Sequence, residues 1–398
     1  MSTETHLLCI GAGEEQISAI YLAQQLGYAV LAVDGNPNAP GLKIANKSYV
    51  VDLKNQKKVI EIAQANSIAG IIPVPLGSIL TTVGAVNDAL GTHGISLNTA
   101  QLCTDKMKMR ETFDKHGLSQ PRFSLATSLN MLKEVIDNFS LPAIIKPRYG
   151  SGSHEVFLLE DHQDVEKFSN KIQDFVHSDY LVESCLEGQE YGVDGVVYNG
   201  ICEILFIRRK AITPPPFRVA LSYVGSQVTQ ENVNFKIYSS IAKAATALQL
   251  KDCLFHADIM LDTTGEVSII EMSGRPSGFG LSMELLPICL GFHPVEQMIN
   301  VILGKKYSFE PRRSLVGIVR GLTTHSGRVH SIGNIDAARL IPGVINIRLG
   351  ITEGDFIEPI KSGSDWWRIG QAMIVGESES QVESTWRKVQ KTLDLIVK

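Results

Sequence analysis

The sequence predicts an α/β protein in three parts: a parallel strand–helix domain over residues 1–103, a two-lobed α+β domain over 104–312 and a small β-rich domain over 313–398. Three observations carry this. Apolar strand patterns and helix-period patterns alternate through the first hundred residues, the rhythm of βαβ units. Around Gln101 that rhythm gives way to hairpins and loops. Beyond Ser314 the chain returns to short strands, with one closing helix. The length of 398 residues suits this division, since a domain takes roughly 100–200 residues.

The elements follow in order. Leu7–Ile10 is a short apolar strand ending at Gly11-Ala12-Gly13. Glu14–Leu26 is helix-periodic, with Ile17, Ile20, Tyr21 and Leu26 on one side and Gly27 as a stop. Strands over Tyr28–Val33, Ser48–Asp52 and Ile68–Val74, with a helix over Asn55–Asn66, complete the first domain's pattern. A helix opens at Thr104-Asp105-Lys106 and closes at Gly117. Pro142–Pro147 and Tyr180–Leu186 read as strands, and Arg148–Ser153 as a glycine/serine loop. Tyr191–Tyr198 and Ile201–Arg209 form a hairpin about Asn199-Gly200, a strong two-residue turn signal. Thr213–Phe217, with three prolines, is a loop. Glu231–Leu248 is a long helix, Leu254–Asp262 and Glu266–Met272 a second hairpin, and Glu379–Ile396 the final helix.

Composition excludes several classes. Hydrophobic residues at 44% and charged residues at 20% are an ordinary globular balance, so disordered, collagenous and coiled-coil readings fall. The net charge is 37 − 42 = −5, which disfavours nonspecific binding to nucleic acid or an anionic membrane. No apolar run approaches the ~20 residues of a membrane span. Met1–His6 lacks the pattern of a secretory leader, so a soluble cytoplasmic protein is the expectation. The six cysteines are scattered without a C-x-x-C pair, against zinc sites and disulfide scaffolds.

The phosphate-loop motif, the zinc-protease helix motif and the G-x-S-x-G elbow are absent. Gly11-x-Gly13 with Asp34 imitates a dinucleotide fingerprint, but Gln16 stands where the third glycine belongs. It reads as a tight strand-to-helix corner.

Four segments carry chemistry together. Lys146 ends the apolar strand Ala143–Lys146, where an ammonium is costly unless it meets an anion. Gly150, Ser151, Gly152 and Ser153 follow, small residues whose N–H groups and hydroxyls suit a phosphate. Glu183 and Glu190 flank a short hinge at Leu186, and such carboxylates accept hydrogen bonds from amino and hydroxyl groups. Asp258 and Glu271 interrupt the two strands of the second hairpin, and facing buried acids require a cation between them. Oxygen ligands of that kind suit Mg²⁺. Arg275 lies two residues past Ser273, its fork ready for a phosphate or carboxylate.

In this order the segments resemble the ATP-grasp carboxylate–amine ligases: Thr-Asp-Lys106, Ile-Lys146-Pro with its Gly/Ser loop, Val-Glu183-x-x-Leu-x-Gly-x-Glu190, His256-x-Asp258 and Glu271-x-Ser273-x-Arg275. The resemblance covers nearly the whole chain. It implies an ATP-grasp architecture: a Rossmann-like N-terminal domain, a central nucleotide-binding domain with a lid over about 125–187, and a β-rich closing domain. It implies ATP and one or two Mg²⁺ ions as cofactors. Lys106 and Lys146 would contact phosphates, Gly150–Ser153 would be the lid loop, Glu183 and the Leu186 backbone would read adenine, and Glu190 the ribose. Asp258, Glu271 and Ser273 would hold Mg²⁺. Arg275, Lys146 and His256 would form the catalytic set. The chain departs from the family pattern twice, with Asp258 in place of the usual Glu and Ser273 in place of the usual Asn.

Within the family, Arg208–Pro216 and the His-x-acid strand look most like amino-acid ligases that make dipeptides. The implied reaction joins a carboxylate, as an acyl phosphate, to an amine and releases ADP and phosphate. The alternatives are a purine-biosynthetic or carboxylase-like relative, or a nucleotide-binding protein without turnover. The expected partners are amino acids or related small molecules, neither nucleic acid nor membrane, and a homodimer is the commonest assembly. Trp366-Trp367 and His154 line a pocket or pack; packing is the expectation for the tryptophans.

Overall fold

A computed structural model describes residues 5–171, 179–227 and 235–398. The N-terminal sheet is parallel, in the order Lys47–Val50, Ala29–Asp34, His6–Ile10, Ile68–Ile71. Its two central strands, His6–Ile10 and Ala29–Asp34, are buried on both faces, while the edge strand Lys47–Val50 is exposed. The corner at Gly11 is closed by Asp34, whose carboxylate accepts from the Ala12 N–H at 2.7 Å. Helix Glu14–Gln25 buries Gln16, Ala19, Ile20 and Ala23. Tyr21, expected on the apolar side, is instead 48% exposed, because the packed face runs through Gln16, Ala19, Ile20 and Ala23.

The central sheet is antiparallel and eight-stranded. Its order is Val267–Ser273, Cys253–Leu261, Gln189–Tyr198, Ile201–Ile212, Ala220–Gln227, Val316–Gly321, Gly370–Gly376, Val344–Leu349. The hairpin between its third and fourth strands turns at Asn199 (φ 48°) and Gly200 (φ 76°), the left-handed pair that a tight two-residue turn demands. Strands from beyond residue 313 join the same sheet through the pairing of Ala220–Gln227 with Val316–Gly321, so the last domain shares its framework with the central one.

A separate four-stranded sheet, Phe123–Ala126, Tyr180–Ser184, Ala143–Pro147, Phe157–Leu159, sits over the central sheet and encloses its own apolar cluster. The proline loop holds it: Leu158 N–H donates to Pro216 C=O at 2.8 Å. A last small sheet pairs Phe356–Ile357, Gly327–Ser331 and Ile396–Val397.

Several boundaries differ from expectation. The strand from Tyr180 ends at Ser184 and the strand from Ile68 at Ile71. The helix expected from Glu231 is described from Phe235 to Ala247, and residues 231–234 lie outside the described residues. The final helix stops at Leu393, where Asp394 turns left-handed (φ 38°), and Ile396 enters a strand. All six cysteines are free. No single helix among the described residues is long and apolar enough to cross a membrane. The most apolar pair, Leu281–Leu290 and Pro294–Ile302, bends by 103°, and it buries Leu285, Leu286, Met298 and Ile299 in the core.

Candidate active site

Every residue expected in the site, apart from Ser273, lines one cavity between the lid sheet and the face of the central sheet. At its inner end, Lys146 reaches Glu183 at 2.7 Å. Arg110, one turn past Lys106 on the helix Lys106–Lys115, completes the group: its Nε donates to Glu183 Oε1 at 2.8 Å and its Nη2 to Oε2 at 3.2 Å. Arg110 also donates to the carbonyls of Ile269 (3.0 Å) and Ile270 (2.6 Å) and to Gln120 Oε1 (3.4 Å). A single buried guanidinium thus ties helix, lid strand and hairpin together. Burial alone would raise the Glu183 carboxyl, but Arg110 and Lys146 hold it at about 2. Burial pulls the Lys146 ammonium below its ordinary value against the attraction of Glu183.

Asp105 caps that helix, accepting from Met107 and Lys108 N–H, and also accepts from Arg148 and Tyr149. It therefore sets the start of the glycine/serine loop against Lys106. The Lys106 ammonium donates to Gly150 C=O at 2.9 Å, and desolvation lowers it to about 8, opposed by Glu271. Further along the loop, Gly152 C=O accepts from Gly363 N–H of the last domain at 2.9 Å.

The floor is the sheet face. Side chains on one face recur every second residue, which aligns Glu190 and Asp194, Arg208 and Lys210, His256 and Asp258, Glu271 and Ser273. The register places Asp258 opposite Glu271 and His256 opposite Ser273. Lys210 lies 2.9 Å from Glu190 and 2.5 Å from Asp258. Burial would raise Asp258, but Lys210 and His256 hold its carboxyl well below the usual range. Arg208 is buried beside Asp194, and its Nη2 lies 2.9 Å from His256 Nδ1. His256 Nε2 is 3.1 Å from Asp258 Oδ1. Burial pushes the imidazole down to about 4.

The outer end is aromatic. Trp366 rings pack 5.7 Å from Tyr223 and 5.3 Å from Phe279. Trp366 is buried, as expected, yet it also walls the cavity. Trp367 lies outside it, under the Arg348 guanidinium. His154 lines the mouth with its side chain 67% exposed.

Two of the expected residues meet particular partners. A guanidinium has no lone pair, so the Arg208 contact makes His256 Nδ1 the acceptor and leaves the proton on Nε2, facing Asp258. The imidazole spans Arg208 and Asp258. Of the expected metal ligands, Asp258 and Glu271 stand opposite each other across the hairpin, and Ser273 lies two residues past Glu271. Asp258 is matched by Lys210, and Ser273 opens into an adjoining cavity with Lys106, Glu271 and Arg275. Glu271, half-buried and without an ion pair among the described residues, fits Mg²⁺, which accepts one or two carboxylates when phosphates supply further oxygens.

Arg110, Lys210, Asp194 and Tyr223 escaped the sequence reading. Part of the signal was there: Arg110 is four residues past Lys106, and Asp194 falls on a strand already marked; Lys210 lies one residue past the marked strand Ile201–Arg209, and the strand Ala220–Gln227 that carries Tyr223 was not marked.

The comparisons agree with this geometry. The ATP-grasp domain family matches residues 139–282, and the family described as L-amino acid ligase C-terminal domain 2 matches residues 320–398. The L-arginine-specific L-amino acid ligase of Bacillus subtilis is 23% identical over 353 residues, 86% of this chain and 84% of that protein. An L-amino acid ligase structure from Bacillus licheniformis superposes with a TM-score of 0.82 at 18% identity, covering 100% of both chains. A phosphoribosylglycinamide synthetase structure from Anaerococcus prevotii gives 0.74 at 23% identity, also over 100% of both chains, so the fold is shared with purine-biosynthetic enzymes. The chain thus carries an ATP-grasp domain followed by an L-amino acid ligase C-terminal domain, the equipment of an ATP-dependent carboxylate–amine ligase.

Proposed function

We propose that this ligase joins two α-amino acids, activating the carboxylate of one as an acyl phosphate. The observation that carries the reading is Arg275. Its Nη1 donates to its neighbour's carbonyl, Pro276 C=O, at 2.9 Å, its Nε is buried without a partner, and it has no ion pair among the described residues. It lines both the main cavity and the adjoining one that holds Glu271 and Ser273. A guanidinium left open at such a junction suits a carboxylate or a phosphate.

The residue roles follow. The hinge from Glu183 to Leu186 receives adenine through its backbone and apolar wall, because the Glu183 carboxylate is committed to Arg110 and Lys146. Glu190 faces the ribose, with Lys210 and Arg218 setting its orientation. Lys106, Lys146 and the N–H groups of Gly150–Ser153 hold phosphate oxygens. Glu271 would hold Mg²⁺, joined by Asp258 where Lys210 yields and by the Ser273 hydroxyl. The metal would offset charge on the transferring phosphoryl group.

One donor carboxylate oxygen attacks the γ-phosphorus, the bond to the β-phosphate oxygen breaks and ADP leaves. Arg275 neutralises the donor as that charge moves. The acceptor amine, having lost its ammonium proton, attacks the acyl carbon; the C–O bond to phosphate breaks, a second proton departs and an amide remains. The lid excludes water, which would otherwise hydrolyse the acyl phosphate. A mass-spectrometric screen of proteinogenic amino-acid pairs with ATP and Mg²⁺ tests the reading. A condensed dipeptide supports it; ADP release driven by bicarbonate and a purine precursor, with no amino-acid pair active, overturns it.

A further inference from the structure

We infer that Trp366 and Gly321, both from the last domain, set the depth of the donor side-chain subsite and select a compact, uncharged side chain. The inference rests on the amino-acid ligase reading and deepens it. The hinge, the lysines, the glycine loop and Glu271 occupy the inner part of the cavity, so the donor's side chain faces the outer wall. That wall is built by Tyr223, Phe279, Leu281 and Trp366.

Trp366 is 1% exposed, and its Nε1 has no hydrogen-bond partner. Packing alone therefore holds the indole. Its support is Gly321, where an added Cβ would lie 2.2 Å from Nε1 and 2.7 Å from Cδ1. A closer approach than real Cβ atoms show means that any side chain at 321 displaces the indole. The inner acids, Glu183, Glu190 and Asp258, are each matched by a cation. At the outer end Arg208, paired with Asp194, stands 5.3 Å over the Tyr223 ring, and Arg275 lies open nearby; the Glu15 carboxylate sits behind the wall, accepting from Phe279 N–H. A cationic donor side chain would meet the Arg275 guanidinium and aromatic rings, with no carboxylate lining that wall.

The test compares kcat/KM for alanine, methionine, phenylalanine and arginine as donors with one fixed acceptor, the order of the product read by fragmentation. Wild type should favour alanine over phenylalanine and arginine. Trp366→Leu should raise the phenylalanine-to-alanine ratio at least tenfold, and Gly321→Ala should lower the methionine-to-alanine ratio by a similar factor. The KM for ATP should stay within threefold in both, the control for an intact nucleotide end. If Trp366→Leu does not fold, Trp366→Phe should shift the ratio in the same direction by a smaller factor. Ratios within twofold of wild type in the folded variants, or arginine as the best donor, would overturn the inference while leaving the ligase reading intact. Wild type forming no dipeptide from any pair would instead overturn the reading itself.

Discussion

Arg208 and His256 form one buried unit: Nη2 of the guanidinium lies 2.9 Å from Nδ1 of the imidazole, which fixes the imidazole proton on Nε2. Because the ring is neutral with its pKa pushed down to about 4, its charge does not change across neutral pH. We predict that kcat/KM between pH 6 and 8 shows no inflection from His256. His256→Gln should lower kcat at least tenfold while leaving the shape of that profile unchanged. A lost inflection in the variant would make His256 a general base after all.

The same shift has a consequence for stability. The imidazole titrates at 6.5 when unperturbed and at about 4 in the fold, so the unfolded chain binds the proton more readily. Its cost is absent above pH 6.5 and grows as the pH falls from there toward 4. Denaturant titrations should show stability declining through that window, and less steeply in His256→Gln. Equal slopes in the two proteins would contradict the buried neutral ring.

Arg110 holds a fully buried carboxylate, and removing it leaves Glu183 with Lys146 alone. Breaking a buried pair of this kind typically costs 3–5 kcal/mol, so Arg110→Met should lose about that much stability. Chemical denaturation measures it. A loss under about 1 kcal/mol would mean that the lid, helix and hairpin are not tied through this side chain.

The βαβ rhythm of the first domain, both hairpins and the motif-bearing residues of the cavity were legible in the sequence, because periodicity, Asn-Gly chemistry and ordered motifs are local signals. The pairings were not. Glu183 looked like a nucleotide reader, yet its partner Arg110 comes from a helix 73 residues away. Asp258 looked like a metal ligand, and only the cross-strand neighbour Lys210 shows that its charge is matched within the sheet. Arg208 and Arg209 illustrate the limit of alternation: adjacent strand residues face opposite ways, and the sequence alone did not say which one is buried. Arg208 is inside, while Arg209 meets Glu379 at the surface. The role of the last domain was invisible, because Gly321, Gly363 and Trp366 carry no motif.

Glu271 is the carboxylate left open toward the phosphate end. Glu271→Gln should lower kcat at least a hundredfold, about 2.7 kcal/mol of transition-state stabilisation, and weaken the dependence of ATP binding on added Mg²⁺. Activity within threefold of wild type would remove Glu271 from the metal site.

The lid contact predicts coupling. Gly363 N–H holds Gly152 C=O at 2.9 Å, closing the loop over the cavity. Gly363 opens the helix Gly363–Ile369, a position that tolerates proline but then loses the N–H. Both Gly363→Pro and Gly363→Ala put a Cβ 2.8 Å from the Phe279 ring, so the two share that displacement and differ in the N–H; Gly363→Pro should release more ADP than ligated product, as water reaches the activated donor, and Gly363→Ala should uncouple less. Equal coupling in both variants and wild type would show that this contact does not seal the site.

The most direct measurement follows oxygen. With a donor amino acid labelled with ¹⁸O in its carboxylate, γ-phosphoryl activation predicts one labelled oxygen in the inorganic phosphate released, the other label in the new amide, and ADP unlabelled. Label appearing in AMP, or phosphate released without label while dipeptide forms, would contradict an acyl phosphate and with it the mechanism drawn from Arg275, Lys146 and Glu271.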